Sequence, residues 1–163
     1  MDKKYWLMCV AMRSMYSFDV RFNDLQELPL QIEKRKNLCE LFLPGNNFTL
    51  KAIKDICNWL PQLRVLDLSC NQLYEVPDEI RSLRNIKRLV LLGNRITTEA
   101  INRFCSGPSS LQELNLQFNR ITAVPEQIKN FDNLRLLNVR GNSLIRPDVE
   151  ELKRLLPHTC III

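Results

Sequence analysis

Apolar residues recur along the chain in a frame of eleven positions, with leucine or a similar residue at positions one, four, six and eleven and asparagine at position nine. The frame occurs six times, and the first residues of its copies are Met15, Leu38, Leu63, Ile86, Leu111 and Leu134. The corresponding asparagines are Asn23, Asn46, Asn71, Asn94, Asn119 and Asn142. One copy is too small to bury its own apolar side chains, whereas stacked copies share a continuous core. The pattern therefore predicts a stack of repeats.

The copies alternate in length and in chemistry, since they begin 23, 25, 23, 25 and 23 residues apart. The short repeats (one, three and five) contain an apolar residue followed by proline, which fixes φ and favours a compact turn: Leu28-Pro29, Val76-Pro77 and Val124-Pro125. The long repeats (two, four and six) place apolar residues at helical spacing: Ile53 and Ile56, Ile101 and Phe104, Val149 and Leu152. The residue before the asparagine alternates between Phe22, Cys70, Phe118 and Gly45, Gly93, Gly141. We interpret a short and a long repeat together as the duplicated unit.

At these positions the sequence resembles the leucine-rich-repeat family, over about nine-tenths of its length. The resemblance implies an α/β fold: a right-handed solenoid with a curved parallel β-sheet on its concave face and short helices and turns on its convex face. It also implies that each asparagine turns inward and hydrogen-bonds backbone groups of the neighbouring turn. We expect a single domain over residues 1–163. Residues 1–14 would form an amino-terminal cap, residues 15–158 the six repeats, and residues 159–163 a cap or tail.

The proline-bearing repeats resemble those of intracellular Ras-suppressor-like and scaffold-type members of the family. Similar repeats occur in effector proteins that bacterial pathogens inject into host cells. Both resemblances imply work in a cytosol: that of the cell making the protein, or that of a host.

Composition and charge limit the function classes. The chain is 45% hydrophobic and 25% charged, which is typical of a soluble globular protein. Its net charge of +5 is spread along the sequence, with one short basic run at Lys34-Arg35-Lys36. No basic stripe alternates with aromatic residues, so a nucleic-acid partner is not expected. The apolar segment 5–12 is too short to span a bilayer and is assigned to the cap.

The six cysteines are Cys9, Cys39, Cys57, Cys70, Cys105 and Cys160. No two form a C-x-x-C pair, and the spacing fits no zinc site. Cys57 and Cys105 would lie two layers apart, about 10 Å, which is too far for a disulfide. Reduced cysteines indicate a cytoplasmic protein. With a single histidine, His158, and no glycine-rich phosphate loop, the chain offers no catalytic constellation, so we expect no enzyme activity, cofactor or metal.

Positions three, five and seven of each repeat should point outward along the concave face. In the middle of that face they are apolar, and charged residues including Glu40 surround them. The predicted partner-binding residues are Phe42, Val65, Asp67, Arg88, Val90, Leu92, Glu113 and Asn115. Single exposed apolar residues are normal, but four on adjacent strands inside a polar rim are typical of a protein interface. The sequence therefore predicts a monomeric scaffold that binds another protein.

The last four residues, Cys160-Ile161-Ile162-Ile163, allow two interpretations. They match the C-a-a-X prenylation signal, so Cys160 could carry a lipid and make the chain a membrane-attached adaptor or effector in a eukaryotic cytosol. Alternatively, Thr159 lies 25 residues after Leu134, where a seventh repeat would begin. Ile162 would then be a core residue and the tail a capping strand. The sequence leaves both interpretations open.

Overall fold

A computed structural model describes residues 16–105 and 110–163. Its strands form a single parallel sheet. The predicted cap at 1–14 and Met15 lie outside the described residues. Seven strands of three residues each follow one another in sequence order. They are β1 Ser17–Asp19, β2 Glu40–Phe42, β3 Val65–Asp67, β4 Arg88–Val90, β5 Glu113–Asn115, β6 Leu136–Asn138 and β7 Cys160–Ile162.

The register of the strands aligns the repeats position by position. The residues at position four pair across the sheet in one row: Phe18, Leu41, Leu66, Leu89, Leu114 and Leu137. All six are buried, as are the residues at position six two places further on. Apolar residues of successive repeats therefore form continuous columns in one core. This confirms the predicted repeat solenoid and its parallel sheet.

The outer layer alternates as the sequence predicts. Short repeats form 3-10 helices at η1 Leu30–Lys34, η2 Asp78–Ser82 and η3 Glu126–Asn130. Long repeats form α-helices at α1 Leu50–Trp59, α2 Thr98–Phe104 and α3 Arg146–Leu155. Each proline carbonyl accepts a hydrogen bond from the isoleucine N–H three residues on, for example Ile80 N–H to Pro77 O at 3.1 Å. In α1 and α2 the preceding threonine hydroxyl caps the helix instead.

The asparagines form a ladder between the sheet and the outer layer, as predicted. Asn46, Asn71, Asn94 and Asn119 are buried. The Asn94 amide donates to the carbonyls of Leu68 and Leu91, both at 3.0 Å, and thereby bridges two repeats. Because buried polar groups need partners, these bonds stabilise the stack. The end members are less covered: Asn23 is exposed and Asn142 half-buried.

The carboxyl-terminal segment forms β7, one residue out of the predicted register. Leu137 pairs with Ile161, which packs against the core, whereas Ile162 is 39% exposed. The prediction that Ile162 is the core residue is therefore wrong. The Thr159 hydroxyl donates to Leu134 O at 2.7 Å and its N–H donates to Leu156 O at 3.2 Å. The paired residues Leu137 and Ile161 are 24 positions apart, whereas the equivalent pairs of the preceding long repeats are 25 apart.

Candidate partner-binding surface

All eight predicted partner-binding residues lie on one face of the sheet. We call this the exposed sheet face: positions three, five and seven of the repeats, opposite the buried position-four residues. Arg88 is exposed there and the other seven are half-buried. The alternation of side chains along a strand explains this placement, since neighbours of a buried residue point to the opposite side.

The apolar members do not lie side by side but alternate between positions five and three on successive strands, and we call this zigzag row the apolar diagonal. Asp67 pairs with Phe42 on one side and with Val90 on the other, so it separates them. Val65 is likewise flanked by Glu40 and Arg88. Successive members of this row are about 7–8 Å apart by strand geometry. They are diagonal neighbours on adjacent strands (Phe42, Val65 and Val90) or lie two residues apart along the chain (Val90 and Leu92). Every apolar contact on this line therefore has a charged or polar neighbour beside it.

Position five has a structural role in the short repeats and in long repeat six that the sequence prediction missed. The Asp67 Oδ1 atom accepts the Ser69 N–H at 2.9 Å and the Ser69 hydroxyl at 2.5 Å. Asn115 Oδ1 accepts the Gln117 N–H at 3.0 Å in the same way. These bonds close the turn that follows each strand. Asp67 and Asn115 are thus explained by local structure before any partner is considered.

Phe42 and Val90 occupy position five of long repeats and have no polar side-chain atom for such a bond. After Phe42, the residue at position seven is Pro44, which has no N–H to satisfy. Neither side chain belongs to the buried core. The fold therefore does not explain why these positions are apolar.

A shallow depression of about 200 Å³ adjoins the diagonal on its β5 side. The Arg88 guanidinium forms an ion pair with Glu113 on the neighbouring strand, and this hydrogen bond raises the pKa of Arg88. The depression is lined by Arg88, Val90, Glu113, Leu114, Asn115, Leu136 and Asn138. The sequence prediction left out Leu136 and Asn138, although they occupy positions three and five of repeat six.

The thiols differ sharply in their environment. Burial raises the pKa of Cys57 and of Cys105 to about 12, so both stay protonated at neutral pH. Cys70 and Cys160 are exposed.

Across 16–105 and 110–163, no group of three or more His, Cys, Asp or Glu side chains could hold a metal ion. In the same ranges, no helix is long and apolar enough to cross a membrane.

Cys160 lies at position three of β7, where its side chain is exposed and its N–H donates to Arg135 O at 2.8 Å. The Val139 N–H donates in turn to Ile162 O at 2.8 Å. The tail is thus part of the sheet, and a transferase would have to separate it from β6. Prenylation of Cys160 stays a prediction.

Comparisons with known proteins agree with the repeat frame. The Leucine Rich Repeat family model matches residues 62–83 and 110–131, which belong to short repeats three and five. A comparison with curated proteins finds no significant match. The sequence match covers two of the six repeats, and the fold described above is the repeat solenoid typical of that family.

Solved structures show the same fold. A leucine-rich-repeat protein of Leptospira interrogans is 25% identical, with a TM-score of 0.56 over 93% of this chain and 50% of that one. An internalin of Listeria monocytogenes is 21% identical, with a TM-score of 0.67 over 94% of this chain and 42% of that one. The chain therefore spans half or less of the length of these two proteins.

Proposed function

We propose that the chain is a non-catalytic scaffold that binds a partner protein on its exposed sheet face. The observation that carries this proposal is the apolar diagonal, above all Phe42 and Val90. The corresponding positions of repeats three, five and six hold side chains that hydrogen-bond the following turn, whereas these two form no such bond and lie outside the buried core. Repeat solenoids present extended surfaces of this kind to other proteins, which supports the assignment.

The chemistry of the face suits a selective protein contact. Apolar side chains supply affinity when water leaves them, and contacts of this type at the centre of an interface contribute most of the binding energy. The flanking charges, Glu40, Asp67 and the Arg88–Glu113 pair, would penalise partners of the wrong charge pattern. We infer that the scaffold acts as a monomer. The five described cysteines are free thiols, which supports a reducing cytosol as its compartment, whether its own cell's or a host's.

The test compares two double variants with equal changes of charge. Val90→Glu with Leu92→Glu puts carboxylates into the diagonal without disturbing the core. Leu30→Glu with Ile145→Glu does the same at exposed apolar residues of the outer layer, which are 57% and 64% exposed. Affinity capture from cytosol, followed by calorimetry with the purified partner, measures binding.

We expect the sheet-face variant to lose the partner while its circular dichroism spectrum stays unchanged. The outer-layer variant should retain binding, because its new charges lie away from the sheet face. Normal binding by the sheet-face variant, or equal loss in both, would contradict the proposed site.

A further inference from the structure

The amino ends of the strands gather basic side chains that are far apart in the sequence. Because all strands are parallel, the residues that precede them lie along one edge of the sheet. We call this the amino-terminal edge, defined by its exposed basic residues Lys36, Arg64, Arg84, Lys87 and Arg135. The sequence shows only one basic run, at 34–36, so the remaining members are brought to it by the fold.

Backbone hydrogen bonds fix the spacing along this edge. The Lys87 N–H donates to Arg64 O at 2.8 Å, the Gln112 N–H to Lys87 O at 2.9 Å, and the Arg135 N–H to Gln112 O at 2.8 Å. The backbones of Arg64 and Lys87, which precede neighbouring strands, are therefore about 5 Å apart. Those of Arg64 and Arg135, three strands apart, are about 14 Å apart. At the β2 end, Lys36 Nζ donates to the carbonyl of Trp59, the last residue of α1, at 3.3 Å.

These cations lack carboxylate partners. Among the described residues, eight other Lys or Arg side chains form ion pairs, but none of the five edge residues does. Their like charges therefore repel one another, and no ion pair offsets this repulsion. Asp132, in the turn before β6, is the one acidic residue in the described turns that lead into β2 to β7, and it is exposed. The electrostatic free energy of such an edge falls when a negatively charged group binds to it.

We propose that the amino-terminal edge binds an acidic protein segment, which belongs to the partner that docks on the exposed sheet face. This inference rests on the proposed function, because position two of each repeat adjoins position three of that face. A partner covering the apolar diagonal would extend over the edge as the charged rim of the same interface. Complementary charge there would accelerate association and fix the orientation of the partner.

The surroundings favour a protein segment over the other polyanions. Between Arg64 and Arg135 the row holds Lys87 and Gln112, neither of which is aromatic. It therefore offers no side chain there on which a nucleic-acid base could stack. The nearby carboxylates of Glu40 and Glu113 would repel a uniformly charged phosphate backbone lying across the sheet, whereas a protein can confine its acidic residues to the segment at the edge. None of the large exposed apolar side chains lies between Arg64 and Arg135 in the row, so a membrane would find no anchoring contact there.

The experiment measures fluorescence anisotropy of a labelled oligoglutamate peptide at low and at physiological ionic strength. Arg64→Glu with Lys87→Glu reverses two edge charges. Lys51→Glu with Lys153→Glu changes the net charge equally at exposed positions on α1 and α3. We expect the edge variant to weaken binding at least about tenfold and the helix variant less than about twofold, because nearby charges dominate at this screening length. Binding should also weaken as salt rises.

Equal weakening in both variants would overturn the proposal, since it would show an effect of net charge alone. Edge-dependent binding of phosphatidylserine vesicles or a single-stranded oligonucleotide that is tighter than peptide binding would overturn it as well. Val90→Ala with Leu92→Ala keeps the charge and should leave peptide binding unchanged. A failure of the sheet-face site would leave this result standing, and a failure of the edge would leave the sheet-face result standing.

Discussion

The short and the long repeats place the same strand and the same asparagine in register through different outer segments. Short repeats use a proline-led 3-10 helix. Long repeats use an α-helix, capped by threonine in α1 and α2 and by Asp148 in α3, yet the strands of both kinds pair without a break. The isoleucines that reach the core are buried in both, as Ile80 in η2 and Ile56 in α1 show. This difference shows that strand pairing and the asparagine ladder determine the geometry of the solenoid. The outer segment of each repeat only has to return the chain to the start of the next strand.

Position eight shows how the two kinds of repeat fit together. The backbone is left-handed there in all six: φ is 55°, 54° and 53° at Phe22, Cys70 and Phe118, and 63°, 66° and 70° at Gly45, Gly93 and Gly141. A Cβ atom built on Gly45 or Gly141 would lie 2.2 Å from the Cδ1 atom of the preceding phenylalanine ring. On Gly93 it would lie 2.9 Å from Cys70 Sγ. Each short repeat therefore lays a side chain over the glycine of the long repeat that follows.

The ladder shows the same pairing. Asn46 Oδ1 accepts two N–H groups of the preceding short repeat, from Asn23 and Leu25. Asn94 Oδ1 likewise accepts from Asn71 and Leu73, both at 3.0 Å. By contrast, Asn71 Oδ1 accepts one N–H, from Phe48, and the last asparagine, Asn142, also accepts one, from Ile121. The asparagines of the first two long repeats therefore accept two N–H groups each from the short repeat before them, whereas the asparagine of the third accepts one.

The largest expected effect separates two asparagines of the ladder. Asn94→Ala should lower the free energy of unfolding by about 3 kcal/mol and Asn71→Ala by about 2 kcal/mol, because the first leaves one more buried N–H without an acceptor. Urea denaturation of the two variants and the wild type measures both values. Equal losses would show that the second N–H bond contributes nothing, and an unchanged midpoint for Asn94→Ala would refute the assigned register.

The next effect concerns the glycine at position eight. Gly141→Ala should cost about 2 kcal/mol, since alanine is strained at φ +70° and its Cβ displaces the Phe118 ring. In a Phe118→Ala background the cost should fall to about 1 kcal/mol, the part due to the backbone. A double-mutant cycle by chemical denaturation gives the coupling. Additive costs would mean that the ring moves aside freely.

A smaller effect is expected at the helix caps of the long repeats. Thr97→Ala removes the hydroxyl that accepts the Ala100 N–H at 3.3 Å, and should lower stability by about 1 kcal/mol. Thr49→Ala in the equivalent place of α1 is the matched variant and should cost a similar amount. Thermal unfolding followed at a helix wavelength measures both. A loss at only one site would show that the two long repeats are not equivalent.

The smallest effect is expected at the prolines of the short repeats. Pro77→Ala keeps the carbonyl that accepts the Ile80 N–H, so its cost of about 0.5 kcal/mol comes from a freer unfolded chain. Denaturant titration with replicate curves resolves this difference from the wild type. A cost above that of Thr97→Ala would instead mean that the 3-10 turn itself depends on the ring.

The family resemblance implied the inward asparagines, and the sequence by itself determined the repeat frame, the buried positions and the alternation of compact turns with helices. It could do so because these features follow from residue type and spacing within one repeat. It also identified the apolar positions of the exposed sheet face, since a strand alternates its sides. Contacts between repeats were beyond it, because they join residues more than twenty positions apart, as in the packing of Phe118 on Gly141.

Only the tertiary structure decided the register of β7, where Leu137 pairs with Ile161 and Ile161 packs against the core. It also assigned Asp67 a structural role through its bonds to Ser69, and arranged the apolar side chains on a diagonal. The amino-terminal edge is the clearest case. Arg64, Lys87 and Arg135 are isolated charges in the sequence, and they become one surface because parallel strands stack equivalent positions a few ångströms apart.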